Sequence, residues 1–112
     1  MIEREAIFHP KALETLRGFS KDTRAAVGKA IREIQRGRSL TMPISRAMPT
    51  IALGASELRI RDRHGIYRAF YYVKSSRGIL IFHACMKKTQ QAPHQELTLA
   101  RARLKEMLNE TR

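Results

Sequence analysis

Three β-prone runs, separated by two very short connections, constrain this chain more than any other feature. Residues 55–63, 66–74 and 79–86 are joined by His64-Gly65 and by Ser75-Ser76-Arg77-Gly78. Connections of two to four residues leave room only for antiparallel neighbours, so a three-stranded meander is predicted. The run R-A-F-Y-Y-V over 68–73 is aromatic and β-branched, which suits a pleated surface. The run I-L-I-F over 79–82 is apolar at consecutive positions, as in a central strand covered on both faces.

The rest of the chain reads as cover for that meander. Residues 2–9 form a short apolar-containing run ending at His9-Pro10, a first strand. Pro10 suits the first position of a helix, Ala12, Leu13 and Leu16 mark its apolar side, and Gly18 can stop it. Ser20 is an N-cap for a second helix with Val27, Ile31 and Ile34 on one face, ended by Gly37. Arg24, Lys29, Arg32 and Arg36 lie largely off that stripe. Residues 38–55 are irregular, broken at Met42-Pro43 and Met48-Pro49. After a polar loop, a last helix over 93–109 carries Leu97, Ala100, Leu104 and Leu108 as its stripe. The order β-α-α-β-β-β-α over 112 residues predicts one α+β domain, a small antiparallel sheet with helices packed on it.

Charge narrows the class of partner. The chain has 22 Lys+Arg against 10 Asp+Glu, net +12, and thirteen of the basic groups follow residue 38. Such an excess favours anionic partners without deciding a fold. No span approaches the roughly 20 apolar residues needed to cross a bilayer. The N-terminal M-I-E-R-E has no basic segment followed by an apolar core, so no signal peptide is expected. Cys85 is a lone cysteine, which leaves no intrachain disulfide and no thiolate cluster, and a reducing, cytoplasmic setting fits. His9, His64, His83 and His94 lack zinc-like spacing, so no metal site and no cofactor are expected.

The chemistry is concentrated in residues 57–68, E-L-R-I-R-D-R-H-G-I-Y-R, where five of twelve side chains are basic, counting His64. Alternation sends Leu58 and Ile60 to one face and Glu57, Arg59 and Arg61 to the other. Arg68 follows at the start of the next strand, within reach of Arg61 if the two strands pair. Like charges side by side on a sheet face repel, and an anion is the usual compensation. Guanidinium forks match phosphate oxygens, so Arg59, Arg61 and Arg68 are candidates for holding a phosphate. A solvated face partly neutralised by Glu57 and Asp62 accounts for the same spacing equally well. Lys87-Lys88 lies just past the third strand and would turn a basic patch into a groove. His94, at the start of the last helix, is the best-placed titrating group for proton transfer. His83 reads as a hydrogen-bonded core residue, and Cys85 as a small buried hydrophobe. Tyr67 and Tyr71 fall on one face and Phe70 and Tyr72 on the other, one set being core. No nucleophile elbow, P-loop or carboxylate pair is present.

The segments E-L-R-I-R, G-I-Y-R-A-F-Y, K-K-T-Q-Q-A-P and E-L-T-L-A-R-A-R-L, in that order, resemble the HigB-like, phage-derived branch of the RelE/ParE toxin superfamily. The resemblance covers most of the chain. It implies a RelE-like fold and the toxin of a type II toxin-antitoxin system, a metal-independent endoribonuclease cutting mRNA on the translating ribosome. It also implies an antitoxin encoded alongside, usually of helix-turn-helix type. By motif, the active site of related toxins falls on Arg68, Lys88 and His94, with Arg59, Arg61 and Lys87 holding RNA phosphates. Some relatives have Lys where this chain has Arg on the first basic strand, and Arg stays protonated, so a base there is not expected. Two other classes compete: a ParE-like toxin acting on gyrase, and a basic module that binds nucleic acid or ribosome without cleaving. A family member whose activity has lapsed is a third.

Overall fold

The computed structural model describes residues 3–87 and 94–110. The elements are β1 (Ala6–Phe8), α1 (Pro10–Arg17), α2 (Lys21–Gln35), β2 (Ser45–Ala47), β3 (Ala55–Asp62), β4 (Gly65–Ser75), β5 (Gly78–Lys87) and α3 (His94–Asn109). They build one five-stranded sheet in the order β1-β5-β4-β3-β2, and the fold is α+β.

The meander is present. β3 pairs antiparallel with β4, and β4 with β5. The first turn is drawn tight by Asp62, whose Oδ1 accepts the backbone N–H groups of His64 at 2.7 Å and Gly65 at 3.2 Å. At the second, Gly78 has φ near +147°, and a Cβ there would collide with the Glu5 carbonyl oxygen. That closeness lets Ile79 N–H bond to the same oxygen at 2.8 Å and seats the N-terminal segment beside β5.

Two expectations are corrected. The sheet is mixed, because β1 runs parallel to β5. A strand followed by a helical crossover can return parallel, and a three-residue strand carries no sign of its direction. The segment 38–55 is not wholly irregular, since β2 pairs antiparallel with the outer edge of β3. Its three residues, between two prolines, show no period of their own. The pairing is supplied by β3 and by the Ser45 Oγ–Tyr71 hydroxyl hydrogen bond of 2.5 Å.

Both sheet faces are covered. On one, Leu16, Val27, Ile31 and Ile34 of the helical hairpin pack on Leu58, Ala69, Tyr71, Ile79 and Ile81. On the other, Ala100, Leu104 and Met107 of α3 pack on Ala55, Phe70, Leu80, Phe82 and Cys85. The I-L-I-F run thus feeds both cores, as its pattern predicts. A register shift in β5 opposite Phe70/Tyr71 puts Phe82 and His83 against the same Phe70 ring.

The capping follows local chemistry. Ser20 Oγ accepts from Thr23 N–H at the start of α2. His9 caps α1, its Nδ1 accepting from Lys11 N–H at 3.1 Å, while its Nε2–H reaches Glu106 of α3 at 3.1 Å. One position in α2 runs against helix propensity. Gly28 is exposed in the helix interior, and a Cβ there would meet nothing within 4 Å. Replacing it with Ala should therefore raise stability by about 1 kcal/mol, read as a higher urea midpoint at unchanged slope. An unchanged or lower midpoint would mean that the glycine has a role in the isolated fold.

Candidate functional site

The basic candidates are placed by strand register. Arg59 lies directly opposite Arg68, and Arg68 opposite Cys85, so all three project to the α3 side of the sheet. The next row on the same face is Arg61, Ile66 and Lys87. Arg61 faces Ile66, one row from Arg68 on the same face, and Arg59 is the residue directly opposite Arg68. Arg61 and Lys87 flank Ile66 at two strand spacings, about 10 Å.

These side chains differ sharply in exposure. Arg68 is 0% exposed and Glu57 2%. Glu57, on the same face, lies 3.3 Å from Arg68 Nε through Oε2 and 3.4 Å from Arg59 Nε through Oε1. Part of the anion demanded by the arginine row is thus internal. Burial pushes the Glu57 carboxyl above its usual range, against the pull of Arg68, Arg59 and Arg46. Arg59 is largely covered, Lys87 half-exposed and Arg61 exposed. Arg61 also lines a shallow hollow at the tip of the β3–β4 hairpin together with Arg63, His64, Tyr67 and Met86. Tyr67 is buried against the edge of Phe19, ring centroids 4.9 Å apart. Tyr71 and Phe70 are also buried, so both aromatic sets serve the core rather than one.

The first turn of α3 closes the face from above. His94 is its first residue and is exposed. Glu96, two residues on in the same turn, is a hub that sequence reasoning missed. Its Oε1 accepts from His83 Nε2 at 2.7 Å, and its Oε2 lies 3.8 Å from Lys87 Nζ. The Cys85 thiol also donates to it. Partial burial acts to raise the Glu96 carboxyl, but the His83 hydrogen bond and the nearby Lys87 charge outweigh it and hold it below the usual range. Arg103, two turns along α3, donates to His83 Nδ1 at 2.7 Å. His83 is therefore neutral with its proton on Nε2, and burial, followed by the Arg103 charge, holds it below the usual histidine range. The spacing of seven residues places Glu96 and Arg103 on one helix face, the signal available from sequence. Nothing in sequence said that β5 lies beneath it.

His83, Cys85 and Glu96 offer three ligand atoms within 4.8 Å of one another, the group best able to hold a cation among the described residues. The protons oppose it. A cation needs the Nε2 lone pair, while Arg103 already donates to Nδ1, and burial pushes the Cys85 thiol up to about 12. The arrangement is that of an internal hydrogen-bonded cluster. Lys88 lies outside the described residues.

A family model described as phage derived protein Gp49-like (DUF891) matches residues 14–105. Among curated proteins and among solved structures, no significant match was found.

Two expectations follow from the buried groups. Glu57→Gln leaves Arg68 buried beside a neutral amide, and a loss of about 3–5 kcal/mol in urea unfolding is expected; a loss under about 1 kcal/mol would show that Arg68 does not depend on this carboxylate. For pH, His83 is held neutral, so unfolding takes up a proton as pH falls below 6.5. Glu96 is held ionised, so unfolding takes up another below 4.5. Both make the fold less stable in acid. Tm should fall across both windows, and Glu96→Gln should flatten the lower one.

Proposed function

The chain belongs to the phage-derived Gp49-like family, a toxin-like family of RelE/HigB type, and from that premise we propose that it is the toxin of a type II toxin-antitoxin system, a metal-independent endoribonuclease that cuts mRNA on the translating ribosome. The observation that carries the reading is the convergence of Arg61, Lys87 and the first turn of α3 on the sheet face that also holds Arg59 and Arg68. A graded row of cations, buried at one end and exposed at the other, suits a polyanion whose backbone runs along the sheet. Among the described residues no helix is long and apolar enough to cross a membrane. The proposed setting is the cytoplasm, and the proposed partner is an antitoxin encoded alongside.

In this mechanism the 2′-hydroxyl of the mRNA attacks the adjacent phosphate. Arg61 and Lys87 hold the phosphate backbone. Arg59 and Arg68, kept in place by Glu57, supply fixed positive charge to the phosphorane-like transition state, where preorganised charge acts most strongly. His94 or Lys88 moves the proton to the leaving 5′-oxygen. The Glu57 carboxylate keeps the two guanidinium groups at fixed separation despite their mutual repulsion.

Expression in cells followed by mapping of mRNA 5′ ends tests the reading. New cuts within coding frames are expected. Arg61→Ala, an exposed change, should slow cleavage by about 100-fold with Tm unchanged. Arg68→Ala should lose cleavage as well, but with a loss of stability, because Arg68 is wholly buried against Glu57. Growth arrest without cuts and with inhibited supercoiling would move the assignment to gyrase. Salt-dependent RNA binding without cuts would leave a binding module.

A further inference from the structure

Four side chains in succession cross the boundary between α3 and β5, and the last of them is Lys87. Arg103, on α3, donates to His83 Nδ1 at 2.7 Å. His83 is buried on β5 against the Phe70 ring, centroids 5.6 Å apart, and donates from Nε2 to Glu96 Oε1 at 2.7 Å. The Cys85 thiol donates to the same carboxylate. Glu96 Oε2 then lies 3.8 Å from Lys87 Nζ. Lys87 is half-exposed and emerges on the row it shares with Ile66 and Arg61.

Anchoring of α3 accounts for the bond between Glu96 and His83. It leaves the second carboxylate oxygen, beside a lysine that could swing freely into solvent, without a purpose. Lysine is a point charge on a flexible four-carbon stem, and ordering that stem on binding costs affinity. A carboxylate that is itself fixed from behind removes part of that cost in advance. At 3.8 Å the ammonium is attracted but gives Glu96 no hydrogen bond, so its N–H donors stay available to a phosphate oxygen. Glu96 is poorly suited to take a proton, because His83 and Cys85 already donate to it and the Lys87 charge favours its ionised form.

We propose that Glu96 is a positioning residue: clamped by His83 and Cys85, it fixes the Lys87 ammonium on the sheet face at the place where an RNA phosphate is received. Arg103 acts one step further back, by keeping the His83 proton on Nε2. The inference rests on the ribonuclease reading for what Lys87 meets. Glu96 itself touches no substrate.

The test uses the full chain, a 5′-labelled single-stranded RNA, and the variants Glu96→Gln, Lys87→Ala and the two combined. Glu96→Gln keeps an oxygen for His83 and removes the charge facing Lys87. In free wild type, side-chain 13C relaxation at Lys87 Cε should show an ordered stem, against mobile stems at the exposed Lys29 and Lys105. That reading needs no variant to fold. In Glu96→Gln the Lys87 stem should become as mobile as theirs. RNA affinity should fall about threefold to fivefold, as loss of one half-exposed ion pair predicts. In cleavage the loss should appear in KM with kcat kept. In the Lys87→Ala background, Glu96→Gln should have no further effect on affinity or KM.

A wild-type Lys87 stem as mobile as that of Lys29, or an unchanged stem in Glu96→Gln, would overturn the proposal. Losses that add in the double variant would overturn it by making Glu96 a structural anchor alone. Tighter RNA binding by Glu96→Gln would overturn it by making Glu96 a competitor for Lys87. An ordered stem on a chain without RNA affinity would overturn it as well. Cleavage is read separately. Ordering and affinity as expected, without any cuts by wild type, would keep the clamp and sink the ribonuclease.

Discussion

The buried ion pair between Arg68 and Glu57 is the constraint on which this architecture depends. Arg68 sits on the central strand of a sheet covered on both faces, opposite Arg59 on one side and Cys85 on the other. A guanidinium group in that position is costly without an acceptor, and a second guanidinium beside it makes matters worse. Glu57 offsets both, with one carboxylate oxygen toward each. The β3–β4 register must hold for this to work. A slip of one residue would turn Glu57 and Arg59 to the opposite face and leave Arg68 facing a non-matching partner. The same pair that stabilises the register therefore pre-sets the spacing of two cations.

The polar interior continues from this pair toward α3. Cys85 lies opposite Arg68, and Glu96 receives the thiol, the His83 imidazole and the approach of Lys87. Arg103 fixes the His83 tautomer from the far side. A helix that packed on the sheet through Ala100, Leu104 and Met107 alone could slide. The Glu96–His83–Arg103 bridge and the His9–Glu106 contact give it two directional anchors, one near each end. Its first turn, with His94, is held where β5 ends and Lys87 emerges. Satisfied polar groups at the sheet–helix boundary thus set the geometry of the exposed cations.

The two faces of the sheet carry different chemistry. The α3 side is charged and directional; the α1–α2 side is apolar, with its charges at the rim of a groove. The two surfaces are therefore distinct, with no arginine shared between them.

Much of this is legible in the sequence. Short turns and β-branched, aromatic runs determine the meander; Ser20, Pro10 and Gly37 bound the helices; alternation alone puts Glu57 and Arg59 on one face. These are local properties, decided by steric preference and side-chain period within a few residues. The parallel pairing of β1, the strand β2, the burial of Arg68 and the Glu96–His83–Arg103 bridge were not legible. Each depends on which distant segment lies opposite, and β2 has too few residues to show a period. The row of arginines was readable as a charge pattern, but its division into buried and exposed members was decided by α3 covering one end of the sheet. Sequence by itself determined every element but β2, the order of those elements and the sign of the net charge. Tertiary structure decided which charges are neutralised inside and which are offered outside, because solvent exposure and ion pairing are set by contacts between residues far apart along the chain.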